Sequence, residues 1–142
     1  MTEPLEAVFL DTNVLSWLLQ GRDDRLTDSY RDLIGTRLVI LPFQVVAEVR
    51  YGMLRARWGE LRVRRAERVL AGFAIAQPDD ATLTVYAQLR LRAIQNGHPL
   101  GDKVHDGDRW IGATAVSAHR PLVSHDAIFQ NVEGLDIWTM LN

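Results

Sequence analysis

Three observations predict an α/β fold with a parallel central sheet of about four to five strands flanked by helices. Short apolar runs recur along the 142 residues without the in-out alternation of a sheet wetted on one side. Longer segments with helical spacing and helix punctuation lie between them. No repeat, linker or low-complexity tract interrupts the pattern, so 1–142 reads as a single domain.

Residues 7–11 form the first buried-type run, a central strand. Asn13 to Leu19 follows as a helix with Leu15, Leu18 and Leu19 on one face, closed by Gly21. A polar helix from Leu26 to Ile34 ends at Gly35. Residues 38–41, Leu-Val-Ile-Leu, are a second strand stopped by Pro42, a residue that also suits the start of the next helix, Phe43 to Arg57. Gly59 separates this from an arginine-rich helix, Glu60 to Ala71. Residues 73–77 are a third strand, and Pro78-Asp79-Asp80 opens a helix that runs to Gln95 and closes at Asn96-Gly97. Residues 97–107 read as a polar loop with three glycines and Pro99. A helix from Asp108 to His119 carries the small residues Gly112, Ala113, Ala115 and Ala118, which permit close packing on a sheet. Residues 121–124 give a fourth strand, and 135–138 a fifth at the edge.

Composition narrows the function. The net charge is −2, so no global basic field advertises a polyanionic partner, although Arg50, Arg55, Arg57, Arg62, Arg64, Arg65 and Arg68 crowd one stretch. The absence of cysteine excludes disulfides, thiolate zinc sites and cysteine nucleophiles. The N-terminus Met1-Thr2-Glu3-Pro4 lacks the basic n-region of a signal peptide, and no apolar run is long enough to span a bilayer, so a cytoplasmic location is expected.

Four acids stand where an α/β fold collects a metal site. Asp11 ends the first apolar run, at the strand end where open parallel sheets bind ligands; it equally suits a helix cap. Glu48 interrupts Val45-Val46-Ala47-Val49 with no cation one turn away, and a carboxylate on such a face needs compensation from a metal or a distant arginine unless it is simply solvated. Asp108 opens a helix as ligand or as cap, with Asp106 competing for either role. Asp126 follows the fourth strand as ligand or turn residue. An oxygen-only set suits Mg²⁺ or Mn²⁺. The four histidines lack ligand spacing, with His125 reading as a surface turn residue, and neither a glycine-rich phosphate loop nor a serine elbow is present. Trp110 and Trp138 read as core or interface residues. The arginine group is either a solvated helical face or a phosphate-binding one.

Asp11-Thr12-Asn13-Val14-Leu15, Val46-Ala47-Glu48-Val49 with Gly52, Asp108-Arg109-Trp110-Ile111-Gly112-Ala113-Thr114-Ala115, and Leu122-Val123-Ser124-His125-Asp126-Ala127-Ile128-Phe129 occur in that order. Together they resemble the successive signatures of PIN-domain ribonucleases, in particular the VapC toxins of type II toxin–antitoxin modules, over essentially the whole chain. The resemblance implies a PIN-like sheet and Mg²⁺- or Mn²⁺-dependent endonucleolytic cleavage of RNA by water, leaving a 5′-phosphate and a 3′-hydroxyl. It places Asp11, Glu48, Asp108 and Asp126 at the catalytic and metal positions, and Thr12, Asn13 and Ser124 at polar supporting positions. It further implies a homodimer and a VapB-type antitoxin whose C-terminal tail occupies the active-site groove; Arg62, Arg64, Arg65 and Arg68 are then candidates to contact RNA or antitoxin. Two departures stand out. Gly112 replaces the usual alanine, and the loop 101–107 is longer than the shortest family versions, which lets Asp106 share the metal role.

Two other readings compete. A PIN-like binding module that has lost catalysis would not need all four acids. A doubly wound phosphatase or phosphoacceptor domain would want a second acid near Asp11, where Thr12 and Asn13 stand instead.

Overall fold

The computed structural model describes residues 6–142. The N-terminus Met1-Thr2-Glu3-Pro4, and the reading that it is no signal peptide, lie outside the described residues. The elements run β1 (Ala7–Leu10), α1 (Thr12–Leu19), α2 (Arg25–Ile34), β2 (Leu38–Pro42), α3 (Phe43–Arg55), α4 (Glu60–Leu70), β3 (Ala74–Ala76), α5 (Asp80–Gln95), α6 (Asp106–Ala118), β4 (Leu122–Val123) and β5 (Ile137–Trp138). The five strands form one sheet in the order β3-β2-β1-β4-β5, with every pairing parallel. Six helices flank it, as the alternation of apolar runs and helical segments predicts.

β1 is central, and all four of its residues are buried, which is why its sequence does not alternate. Its Phe9 and Leu10 stand in register with Leu122 and Val123 of β4, and with Val14, Leu15, Val45, Val49 and Ile111 they make the core. The strand order reverses between β1 and β4. In open parallel sheets that reversal opens a crevice beyond the strands' C-terminal ends, and here Asp11 and Ser124 both sit on its rim.

Turn and cap chemistry set most boundaries. Pro42 ends β2 and stands just before α3 with φ −59°, the value its ring imposes. Asp79 accepts from Thr82 N at 3.0 Å and Thr82 Oγ1 accepts from Asp79 N at 3.2 Å, a reciprocal cap that starts α5. Gly21 and Gly97 adopt φ values of 64° and 66°, so each provides the left-handed residue on which a helix stops.

One segment departs from the sequence reading. Residues 97–107 are not an open loop. They contain two short 3-10 turns, Pro99–Gly101 and Lys103–His105, and α6 starts at Asp106, two residues before the expected Asp108. The organiser is Arg109, only 1% exposed, whose guanidinium donates to the carbonyls of Leu100 at 2.9 Å and Asp102 at 2.6 Å. It winds the preceding segment tightly against the helix. Asp106 and Asp108 both fall in the first turn of α6, where negative charge complements the exposed amides, and neither serves as the cap.

Candidate active site

Asp11 combines two roles that the sequence leaves as alternatives. One carboxylate oxygen caps α1 by accepting from Thr12 N at 2.6 Å; the other accepts from the Ser124 hydroxyl at 2.6 Å. The residue is 4% exposed. Burial pushes its carboxyl from the ordinary 3.8 up to about 6, partly offset by those two hydrogen bonds, and the like charges of Asp108 and Asp126 raise it further. Those two acids therefore lie within electrostatic reach of Asp11.

Glu48, half-buried on α3, accepts from the Thr12 hydroxyl at 2.5 Å. The first turn of α6 passes close above it. A Cβ on Gly107 would lie 2.9 Å from Gln44 Nε2 and 3.2 Å from Glu48 Oε1, so the glycine leaves room for the ends of those two side chains beside the first turn of α6. Asp108, the next residue, pairs with His105 Nδ1 at 2.8 Å. Asp126 caps a short turn over Ala127–Phe129 by accepting from Ile128 N at 3.0 Å, while its own amide donates to Ser124 Oγ at 3.0 Å. The Ser124 hydroxyl thus ties Asp11 and Asp126 together.

Each of the four acids rests on a local donor. No arginine or lysine pairs with any of them among the described residues. As oriented, no three Asp, Glu or His side chains among the described residues stand close enough to enclose a cation. The donor set still fits a hard divalent cation. It is all oxygen, it includes a buried carboxylate whose ionisation is suppressed, and it contains no protein cation to neutralise it.

The remaining candidates separate. Asn13 is exposed. Asp106 accepts from the Tyr86 hydroxyl and from Arg109 Nη2 at 3.3 Å, so it takes part in fastening the 3-10 segment. His125 is half-buried, with Nδ1 2.6 Å from the Tyr30 hydroxyl and its ring packed against Trp17. That corrects its reading as a surface turn residue; the nearby aromatic rings of α1 and α2 enclose it. Trp110 stacks on Tyr86, with ring centroids 4.1 Å apart, and meets Phe43 edge-on. Of the arginines, Arg50 forms a two-pronged pair with Glu67 at 2.9 and 3.1 Å, Arg64 pairs with Glu60, and Arg62 lies over the Trp58 ring at 3.7 Å. Arg65 and Arg68 make no ion pair among the described residues. Sequence reasoning passed over Arg109 and Tyr30. A charged residue directly before the apolar stretch Trp110-Ile111 was the available signal for the first; the second had none.

The family model described as the PIN domain matches residues 8–135. Ribonuclease VapC5 of Mycobacterium tuberculosis is 30% identical over 137 residues, covering 94% of this chain and 92% of that protein. VapC ribonuclease Y4jK of Sinorhizobium fredii is 30% identical over 137 residues, covering 92% and 94%. The fold superposes on the structure of VapBC2 from Rickettsia felis bound to a DNA fragment from their promoter with a TM-score of 0.77 at 19% identity, covering 94% of this chain and 98% of that one. Matched by that family model over residues 8–135 and 30% identical to two VapC ribonucleases over nearly its whole length, the chain belongs to the PIN-domain family, in its VapC group.

Proposed function

We propose that this chain is an endoribonuclease dependent on Mg²⁺ or Mn²⁺, acting as the toxin of a VapBC-type pair. The observation that carries the reading is the buried Asp11 carboxylate, raised to about 6 by its surroundings, facing further acids without a protein cation. Two relatives named as VapC ribonucleases, similar over nearly the whole chain, support the activity. The VapBC2 neighbour supports an antitoxin partner of the VapB type.

Asp11, Glu48, Asp108 and Asp126 hold the ion in this proposal. When bound, Mg²⁺ or Mn²⁺ supplies the positive charge that acidifies an attacking water and stabilises the leaving oxygen of an RNA phosphodiester. Thr12 and Ser124 act as brackets: the first fixes Glu48 relative to the end of β1, the second fixes Asp11 relative to Asp126. Asp106, committed to Tyr86 and Arg109, holds the segment that presents Asp108. No side chain in the cluster is a plausible nucleophile, so water attacks. The protein acts as a single PIN-like unit in the cytoplasm; no helix among the described residues is long and apolar enough to cross a membrane. The exposed Leu83, Leu91 and Ile94 of α5 offer an apolar face to a second copy in a homodimer.

The test compares the purified protein with Asp108→Asn, each incubated with single-stranded RNA and Mg²⁺. The wild-type chain is expected to cut the RNA internally, and the variant to be folded and inactive. A wild-type protein that binds RNA or antitoxin without cutting would favour an inactive PIN-like binding module.

A further inference from the structure

We propose that the hollow between α1 and α3 is a nucleobase subsite, seating a base next to the phosphodiester that is cut. This rests on the ribonuclease reading above. The hollow measures about 220 Å³ and opens directly from Thr12 and Glu48, so it is continuous with the acidic cluster. Ser16 and Gln20 of α1 line one side and Gly52 and Met53 of α3 the other, with Trp58 at its far end. From Glu48 to Ala56 the helix advances about 12 Å, room for a nucleotide adjoining the reactive one.

Gly52 is the telling residue. It lies inside α3, where glycine weakens a helix relative to alanine. Yet a Cβ placed on it would meet nothing within 4 Å, so no packing demand inside the protein explains it. Gly52 also borders a second hollow on the other side of Glu48, lined by Gln44, Tyr51 and Arg55. The bare backbone is therefore a low saddle beside the acidic site, and what benefits from the missing side chain is an occupant from outside.

The walls define that occupant. A nucleobase has apolar faces and a hydrogen-bonding edge. The hollow offers Met53, Val49 and Leu19 to the faces, and the Ser16 hydroxyl and Gln20 amide to the edge. At the far end the Arg62 guanidinium lies over the indole of Trp58, 3.7 Å from the ring centre, an aromatic and cationic wall of the kind on which bases stack and beside which phosphates settle. Arg65 and Arg68 extend the positive charge along α4, where a polyanion is matched better than a neutral peptide.

The experiment uses Gly52→Leu, a better helix former whose side chain fills the hollow, and Gln20→Ala, which removes only the exposed amide. Each is compared with the full wild-type chain for cleavage of mixed-sequence single-stranded RNA with Mn²⁺, for thermal unfolding, and for the base composition flanking the cuts. Gly52→Leu is expected to unfold no earlier than wild type, keep its kcat, and raise KM by about tenfold or more, the scale of one base left unstacked. Gln20→Ala is expected to alter the base composition at the cuts. A Gly52→Leu protein with the parent's KM and the parent's cut sites would overturn the subsite while leaving the nuclease reading intact, and the same result with weakened capture of the antitoxin would assign the hollow to protein docking. A wild-type protein that cuts no RNA would remove both readings.

Discussion

Replacing Asp11 by asparagine should stabilise the metal-free fold at neutral pH while destroying activity, and the size of the gain follows from the site. The carboxyl titrates near 6 when folded against an ordinary 3.8. An acid raised in this way opposes folding only when ionised: the penalty is absent below about pH 3.8, grows as pH rises toward 6, and is complete above it. The rise corresponds to about 3 kcal/mol at pH 7. The asparagine oxygen can still accept from Thr12 N, but its NH₂ displaces the acceptor that the Ser124 hydroxyl uses, a loss of about 1 kcal/mol. Metal-free Asp11→Asn should therefore be more stable than wild type by about 2 kcal/mol at pH 7 and less stable by about 0.5 kcal/mol at pH 4. Urea unfolding of both proteins in EDTA across this range measures the difference. The depressed carboxyls of Asp24 and Asp79, which lend stability that is lost on acidification, are common to both proteins and cancel. A difference that stays flat between pH 4 and 7, or an Asp11→Asn protein that cuts RNA at the wild-type rate, would refute the reasoning.

Other perturbations follow from the same geometry. Mg²⁺ or Mn²⁺ should support cleavage and raise the melting temperature of wild type but not of Asp11→Asn, Ca²⁺ should support it weakly, and metal-stripped protein in EDTA should not cut; full cleavage in EDTA would contradict the metal site. Neutralising Arg65 and Arg68 together should weaken RNA binding and lower the log–log salt slope by about one unit for each phosphate no longer neutralised, measured by fluorescence anisotropy, whereas neutralising Arg50, already held by Glu67, should change the slope little. Arg109→Leu leaves the carbonyls of Leu100 and Asp102 without their donor, while the exposed Asp106 is left to solvent, and should cost about 2–4 kcal/mol in urea unfolding. Gly112→Ala should be accommodated, since the added carbon would sit 3.8 Å from Leu89 and Phe129, and should raise stability by about 0.5–1 kcal/mol.

The central strands were legible because burial on both faces leaves an unbroken apolar signature, which Ala7–Leu10 carries in four residues and Leu122–Val123 in two. The helix limits were legible where a cap is written in side chains, as at Asp79 and Thr82. The winding of residues 97–107 was not, because it depends on Arg109 reaching back over seven to nine residues to backbone carbonyls, which carry no sequence signal. Asp11, Asp108 and Asp126 could be placed at strand and helix ends from the chain alone, and Glu48 inside a helix. Their partners could not: Thr12 meets Glu48 across 36 residues, and Ser124 meets Asp11 across 113. Only the folded sheet makes those pairs neighbours.

The last of these pairs has a temporal meaning. Asp11 needs Ser124 for its second hydrogen bond, and β1 needs β4, whose Val123 carbonyl receives the Asp11 amide at 2.9 Å. At ordinary translation speeds of about 5–20 residues per second, Ser124 is added about 6–23 s after Asp11. Throughout that interval the growing chain carries Asp11 without the hydroxyl that fixes its second oxygen. Residues 12–58, which supply the hollow between α1 and α3, are all synthesised within it. A chain built in this order completes its acidic cluster only after every residue that lines the hollow has been made.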